Sequence, residues 1–122
     1  MKPVKISDSE WQVMNLLWER SPLSGGEIIS ALQAKSAWRP RTIRTLLDRL
    51  IEKGAIKVLS EGKRRFAPQV SQEACIHSES HSFIKRVFGG RPASMLLQMI
   101  KETNLTDQEI DQLKKLLAEK QK

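Results

Sequence analysis

Pro40-Arg41-Thr42-Ile43-Arg44-Thr45-Leu46-Leu47-Asp48-Arg49-Leu50-Ile51-Glu52-Lys53-Gly54 is the stretch on which the fold turns. Ile43, Leu46, Leu47, Leu50 and Ile51 recur at the spacing of one buried helix face. Pro40 suits the first helical position, where its missing N–H would be unpaired anyway. Gly54 suits the left-handed residue that ends a helix. Arg39 falls at the cap position and is a poor cap, so this start is expected to be less well anchored than its neighbours. The opposite face carries Arg41, Thr42, Arg44, Thr45, Asp48, Arg49 and Glu52. Solubility needs only a polar face. This one holds Arg and Thr with no acid until Asp48, and those side chains can read guanine and thymine edges in a major groove.

Upstream, Ser7 with Glu10 and Ser24 with Glu27 are capping boxes, each followed by an apolar run of helical period. The first predicted helix carries Trp11, Met14, Leu17 and Trp18 and ends near Arg20, before Ser21-Pro22. Ile6 and Trp11 stand at the staple positions. The second helix carries Ile28, Ile29 and Leu32 and runs to about Ala34 or Lys35. Core packing is expected for Trp11 and Trp18. For Trp38, packing beneath the third helix is favoured over an indole contact to phosphate.

Downstream, Ile56-Lys57-Val58-Leu59 and Arg64-Arg65-Phe66-Ala67 flank the turn Ser60-Glu61-Gly62-Lys63, which predicts a β-hairpin closed by Pro68. Three helices followed by a hairpin is the order of a winged helix-turn-helix, with the third helix as recognition helix. Lys63, Arg64 and Arg65 at the hairpin tip suit the phosphate backbone or minor groove.

Residues 71–122 read as three more helices: Gln72 to Phe88, one from Pro92, and one capped by Thr106 with Glu109. Leu105 and Ile110 stand at the last helix's staple positions. These helices are too few to bury a core of their own. Their apolar stripes, Met95, Leu96, Met99 and Ile100, then Ile110, Leu113, Leu116 and Leu117, are expected to pack against a second copy. The fold class is therefore mainly α with a small β-hairpin: a winged helix-turn-helix over 1–70 and a helical dimerisation arm over 71–122.

Charge agrees. The 122-residue chain has a net charge of +7. Residues 1–70 hold 13 Lys/Arg against 7 Asp/Glu, whereas residues 71–122 hold 8 against 7. The excess is thus local, as a polyanion partner requires. No run approaches the roughly 18–20 apolar residues of a membrane span. The start Met1-Lys2-Pro3-Val4-Lys5-Ile6 has no signal-peptide core. The single cysteine, Cys75, rules out a disulfide framework within the chain, and together these predict a cytoplasmic protein.

No Gly-rich phosphate loop, nucleophile elbow or His-Asp-Ser set is present, so no enzyme and no cofactor are expected. Cys75, His77, Glu79 and His81 cluster in the fourth helix. His77 and His81 share a face, but two His are too few for a closed metal site, and Cys75 points largely elsewhere. Solvated side chains on the arm are the favoured reading, and a metal-responsive repressor using Cys75, His77 and His81 is the alternative. A winged helix that binds protein or RNA is a further alternative. The Arg/Thr face separates it from a duplex reader, since a protein-binding face would be more apolar.

The sequence also resembles the penicillinase-repressor family, the BlaI/MecI/CopY group of bacterial regulators. The resemblance is carried by Ser9-Glu10-Trp11-Gln12-Val13-Met14 with Leu17-Trp18, by Arg41 to Leu50 with Lys53-Gly54, by Phe66-Ala67-Pro68, by Phe83 to Gly90, and by Leu105-Thr106 with Glu109-Ile110 and Leu113. It spans nearly the whole chain. It implies a homodimeric repressor of inverted repeats of the TACA/TGTA kind, with Arg41, Thr42, Arg44, Thr45, Arg49 and Lys63 to Arg65 on DNA. Copper-branch members end in a cysteine-rich hook, whereas this chain ends Ala118-Glu119-Lys120-Gln121-Lys122. β-Lactamase-branch members are cleaved at an Asn-Phe bond in the fifth helix. The matching bond here, Gln98-Met99, keeps an amide followed by a large apolar side chain. Derepression by a membrane sensor protease at that bond, and control of β-lactamase-type resistance genes, are what this match implies.

Overall fold

The computed structural model describes residues 4–60 and 62–122. Met1-Lys2-Pro3 of the N-terminal stretch and Glu61 of the expected turn lie outside the described residues. The elements are α1 (Asp8–Glu19), β1 (Leu23–Ser24), α2 (Gly25–Gln33), α3 (Pro40–Glu52), β2 (Ile56–Leu59), β3 (Arg65–Pro68), α4 (Gln72–Phe88), α5 (Pro92–Glu102) and α6 (Asp107–Lys120).

Each capping box forms. Ser7 Oγ accepts from the Glu10 N–H at 3.3 Å, and the Ser7 N–H donates to Glu10 Oε1 at 2.9 Å. The Ser24–Glu27 and Thr106–Glu109 pairs repeat this reciprocity at α2 and α6. Each box satisfies two backbone donors that a helix start leaves open, and its Ser or Thr is worth about 1 kcal/mol over Ala. The start of α3 has no side-chain cap, as Arg39 foretells.

At the end of α3 the Ala55 N–H donates to the Leu50 carbonyl at 2.9 Å and the Gly54 N–H to the Ile51 carbonyl at 3.0 Å. This is a Schellman closure. It requires the positive φ that Gly54 adopts, +82°. The chain then reverses directly into β2.

The sheet has three antiparallel strands in the order β1-β3-β2. Sequence patterning foresaw only the hairpin. The third strand, Leu23–Ser24, is two residues long and pairs with Phe66 and Arg65. Across the hairpin Val58 faces Phe66 and Ile56 faces Pro68. Pro68 thus closes the central strand where no further ladder N–H is needed.

The chain forms two compact units, Met1–Ser80 and His81–Lys122. In the first, Val13, Met14 and Leu17 of α1 join Ile28 and Leu32 of α2, Ile43, Leu46, Leu47 and Leu50 of α3, and Leu23, Ile56 and Phe66 of the sheet in one core. Truncating a buried Leu such as Leu50 to Ala would cost about 2–5 kcal/mol. The unit extends past residue 70, where the sequence-based boundary fell. Trp18 Nε1 donates to the Val70 carbonyl at 3.0 Å, and Cys75 is buried in the core. Trp11 and Trp18 meet in a tilted contact, 5.7 Å between centroids and 56° between planes, and they and Trp38 pack half-buried against the core.

In the second unit no described side chain is buried, α5 and α6 included. Phe83 and Phe88 meet at 6.0 Å. Gly89 and Gly90 take positive φ and end α4.

Candidate nucleic-acid interface

Helix α3 splits cleanly into two faces. Ile43, Leu46, Leu47 and Leu50 are buried, whereas Arg41, Thr42, Arg44, Thr45, Asp48 and Arg49 are all exposed. The expected reading face is therefore available along its length. Thr45 carries a refinement. Its Oγ1 donates to the Arg41 carbonyl at 3.0 Å, so its proton is engaged within the helix. What Thr45 presents outward is its methyl and its remaining lone pairs, a surface suited to a thymine methyl or a base donor.

The hairpin brings one further cation, Arg64, beside this face. Arg64 lies over the Phe66 ring, 5.3 Å from its centroid. Arg44, Asp48 and Leu47 of α3, Gly25 of α2, and Arg64 and Phe66 of the hairpin line one cavity of about 350 Å³. Arg44 and Arg64, far apart in sequence, thus open onto the same space. Phe66 was not among the expected site residues. Its place two residues from Arg64 on a strand, hence on the same side, is the signal that could have found it.

Lys63 and Arg65 are exposed. Arg65 alternates with Phe66 along β3, so it projects from the opposite side of the strand to the ring that Arg64 covers, and it pairs with Ser24 at the start of α2. There the Glu27 carboxyl is held below the usual range by the Ser24 backbone and hydroxyl hydrogen bonds first, with Arg65 and Arg20 adding to the effect. Of the three hairpin cations, Arg64 is the one that shares the α3 cavity.

The Cys75 cluster does not assemble. Cys75 is buried rather than solvated on the arm, which corrects the sequence expectation, and burial pushes its thiol up. A helix that docks one face on the core buries the residue on that face, and periodicity alone did not reveal which face docks. His77, Glu79 and His81 are exposed. Among the described residues no three His, Cys, Asp or Glu side chains converge as a metal set would.

The second unit presents its own surface. Leu96, Met99, Ile100, Leu116 and Leu117 are exposed, and Met95, Ile110 and Leu113 half-buried. Phe83, Val87 and Leu97 extend the same apolar exposure beyond the expected residues. Gln98 and Met99 lie exposed within α5, where Gln98 Nε2 hydrogen-bonds Glu102. No helix among the described residues is long and apolar enough to cross a membrane.

Comparison with known proteins now decides the class. The sequence profile of the penicillinase repressor family matches residues 6–119. This chain belongs to the penicillinase repressor family. As a member it is a DNA-binding transcriptional repressor. It is 37% identical to the penicillinase repressor of Bacillus licheniformis over 94% of this chain and 91% of that protein. It is 33% identical to the methicillin resistance regulatory protein MecI of Staphylococcus aureus strain N315 over 98% of each. Among solved structures, the monomeric form of Bacillus licheniformis BlaI in complex with the blaP half-operator matches with a TM-score of 0.55 and 38% identity, over 60% of this chain and 90% of that one. The winged helix expected from element order is the fold this repressor shares.

Proposed function

We propose that this repressor acts in the cytoplasm, without enzymatic activity, as a homodimer on a palindromic duplex operator. Each protomer lays α3 in a major groove, with Arg41, Thr42, Arg44, Thr45 and Arg49 toward the bases, and sets Lys63, Arg64 and Arg65 on the backbone. The observation that carries the reading is the exposed Arg/Thr face of α3 with Arg64 opening onto the same cavity as Arg44. An apolar face would suit a protein partner; this face offers hydrogen-bond donors and a methyl. The unburied apolar surface of α5 and α6 supports a second copy as the partner of the arm, because a unit with no buried side chain lacks a core of its own.

Control of β-lactamase-type resistance genes is the regulatory setting proposed, on the family relationship. Relief comes from cleavage at Gln98-Met99 in α5 by a membrane sensor protease. The bond is exposed but helical, so the protease would have to unwind a turn to reach it.

The test is a fluorescence anisotropy titration of the full chain against a duplex bearing an inverted TACA/TGTA repeat and against a scrambled duplex. Two chains per repeat and binding at least about 1,000-fold tighter than to scrambled DNA are expected for a specific repressor. Equal affinity for the two duplexes would overturn the proposal.

A further inference from the structure

Glu10 is the one buried charged side chain among the described residues, at 1% exposure. Its Oε1 accepts from the Ser7 N–H and from Lys53 Nζ, while Oε2 is buried with no partner among the described residues. Lys53 is the C-cap residue of α3. Its ammonium also donates to the Lys5 carbonyl at 2.9 Å. One side chain thus ties the end of α3 both to the first turn of α1 and to the segment that precedes it.

Only the carboxylate of this pair is buried, the Lys53 side chain being 38% exposed, and such a pair gains little net stability because desolvation and solvent screening offset the attraction. A carboxylate oxygen left without a partner weakens the balance further. What such a pair does supply is direction: charges that must meet allow one placement of the elements that carry them. That matters for α3, which is held unevenly. Its start has no side-chain cap, whereas its end has the Schellman closure and Lys53. Lys53 also meets the negative end of the α3 dipole. The axial position of the reading face is therefore set from the C-terminal end.

We infer that Lys53 is a positioning residue for operator recognition, acting through Glu10 and the Lys5 carbonyl to fix the register of α3 without touching DNA. This rests on the duplex-reading role proposed above. Base readout needs side chains held to within about 0.5 Å, so a loosened register should harm discrimination more than affinity for DNA in general.

The test pairs Glu10→Gln with Lys53→Met in the full chain. Gln at this position keeps the capping box, and no buried charge is left alone. The unfolding midpoint is expected to stay near that of the parent. The ratio of affinities for the TACA/TGTA repeat over the scrambled duplex should fall roughly three- to tenfold. The salt slope should not change, and the amides of Lys53, Gly54 and Ala55 should exchange faster in the free protein. Parent-like ratio and exchange would overturn the inference. So would a salt slope lowered by about 1 with the ratio intact, since that marks Lys53 as a phosphate ligand. If the double variant does not fold, Glu10→Gln alone is read the same way, and parent-like ratio and exchange in it overturn the inference. A parent chain that does not distinguish the duplexes sinks the duplex-reading role, and the exchange measurement then decides the tie without DNA.

Discussion

Arg44 on α3 and Arg64 in the hairpin line the same cavity although twenty positions separate them in the chain. The pairing makes the recognition helix and the wing one surface. The exposed face of α3 supplies side chains that can tell bases apart. On the proposed reading, the hairpin supplies cations that need only find phosphate.

These roles separate in mutants. Arg44→Ala is expected to cost about 1–3 kcal/mol on the operator and to relax preference at one base pair. Lys63→Ala should weaken operator and scrambled duplex alike and lower the salt slope by about 1. Titrations of both variants on both duplexes at several salt concentrations check this. Equal effects of the two changes on both duplexes would contradict the assignment.

Gly54→Ala tests the closure that aims α3 into the sheet. There is open space for a Cβ at Gly54, so the penalty comes from its φ of +82° alone. A loss of about 1–2 kcal/mol in urea unfolding is expected, with an unchanged m-value.

Acid should loosen the first unit through Glu10. Burial pushes its carboxyl up, but hydrogen bonds from Lys53 and Ser7 and the Lys53 charge outweigh burial and hold it below the ordinary range. The folded-state pKa therefore lies below the unfolded one. The resulting stability is complete above the ordinary carboxylate range and is lost as pH falls through the folded value. The stability gap between the parent and Glu10→Gln is expected to be widest near neutral pH and to close in acid, as urea unfolding across pH would record.

Much of this architecture is legible in the residues themselves. Ser7–Glu10, Ser24–Glu27 and Thr106–Glu109 announce three helix starts because capping is local chemistry. The period of Ile43, Leu46, Leu47 and Leu50 announces which side of α3 is free. Non-local pairing is what escaped. Leu23–Ser24 is too short to show strand alternation and exists because Phe66 and Arg65 pair with it. Cys75 reads as part of the arm in sequence because its burial depends on how the start of α4 packs within the first unit. The tie from Lys53 to Glu10 joins residues whose spacing in sequence carries no signal.

The arm offers an independent check. Leu116 and Leu117 are 58% and 57% exposed in the single chain, so Leu117→Asp should leave one protomer's fold intact. Sedimentation at micromolar concentration is expected to show a dimer for the parent and a dimer weakened at least about tenfold for the variant. A monomeric parent, with or without DNA, would contradict self-association through α5 and α6.

The most direct measurement of the central claim is methylation protection of guanine N7, an atom that lies in the major groove. With the full chain on the inverted TACA/TGTA duplex, the guanine in each half-site is expected to be shielded, and Arg44→Ala is expected to restore reactivity there while the flanking backbone stays protected. Guanines that remain fully reactive under saturating protein would place the outward face of α3 elsewhere than the groove.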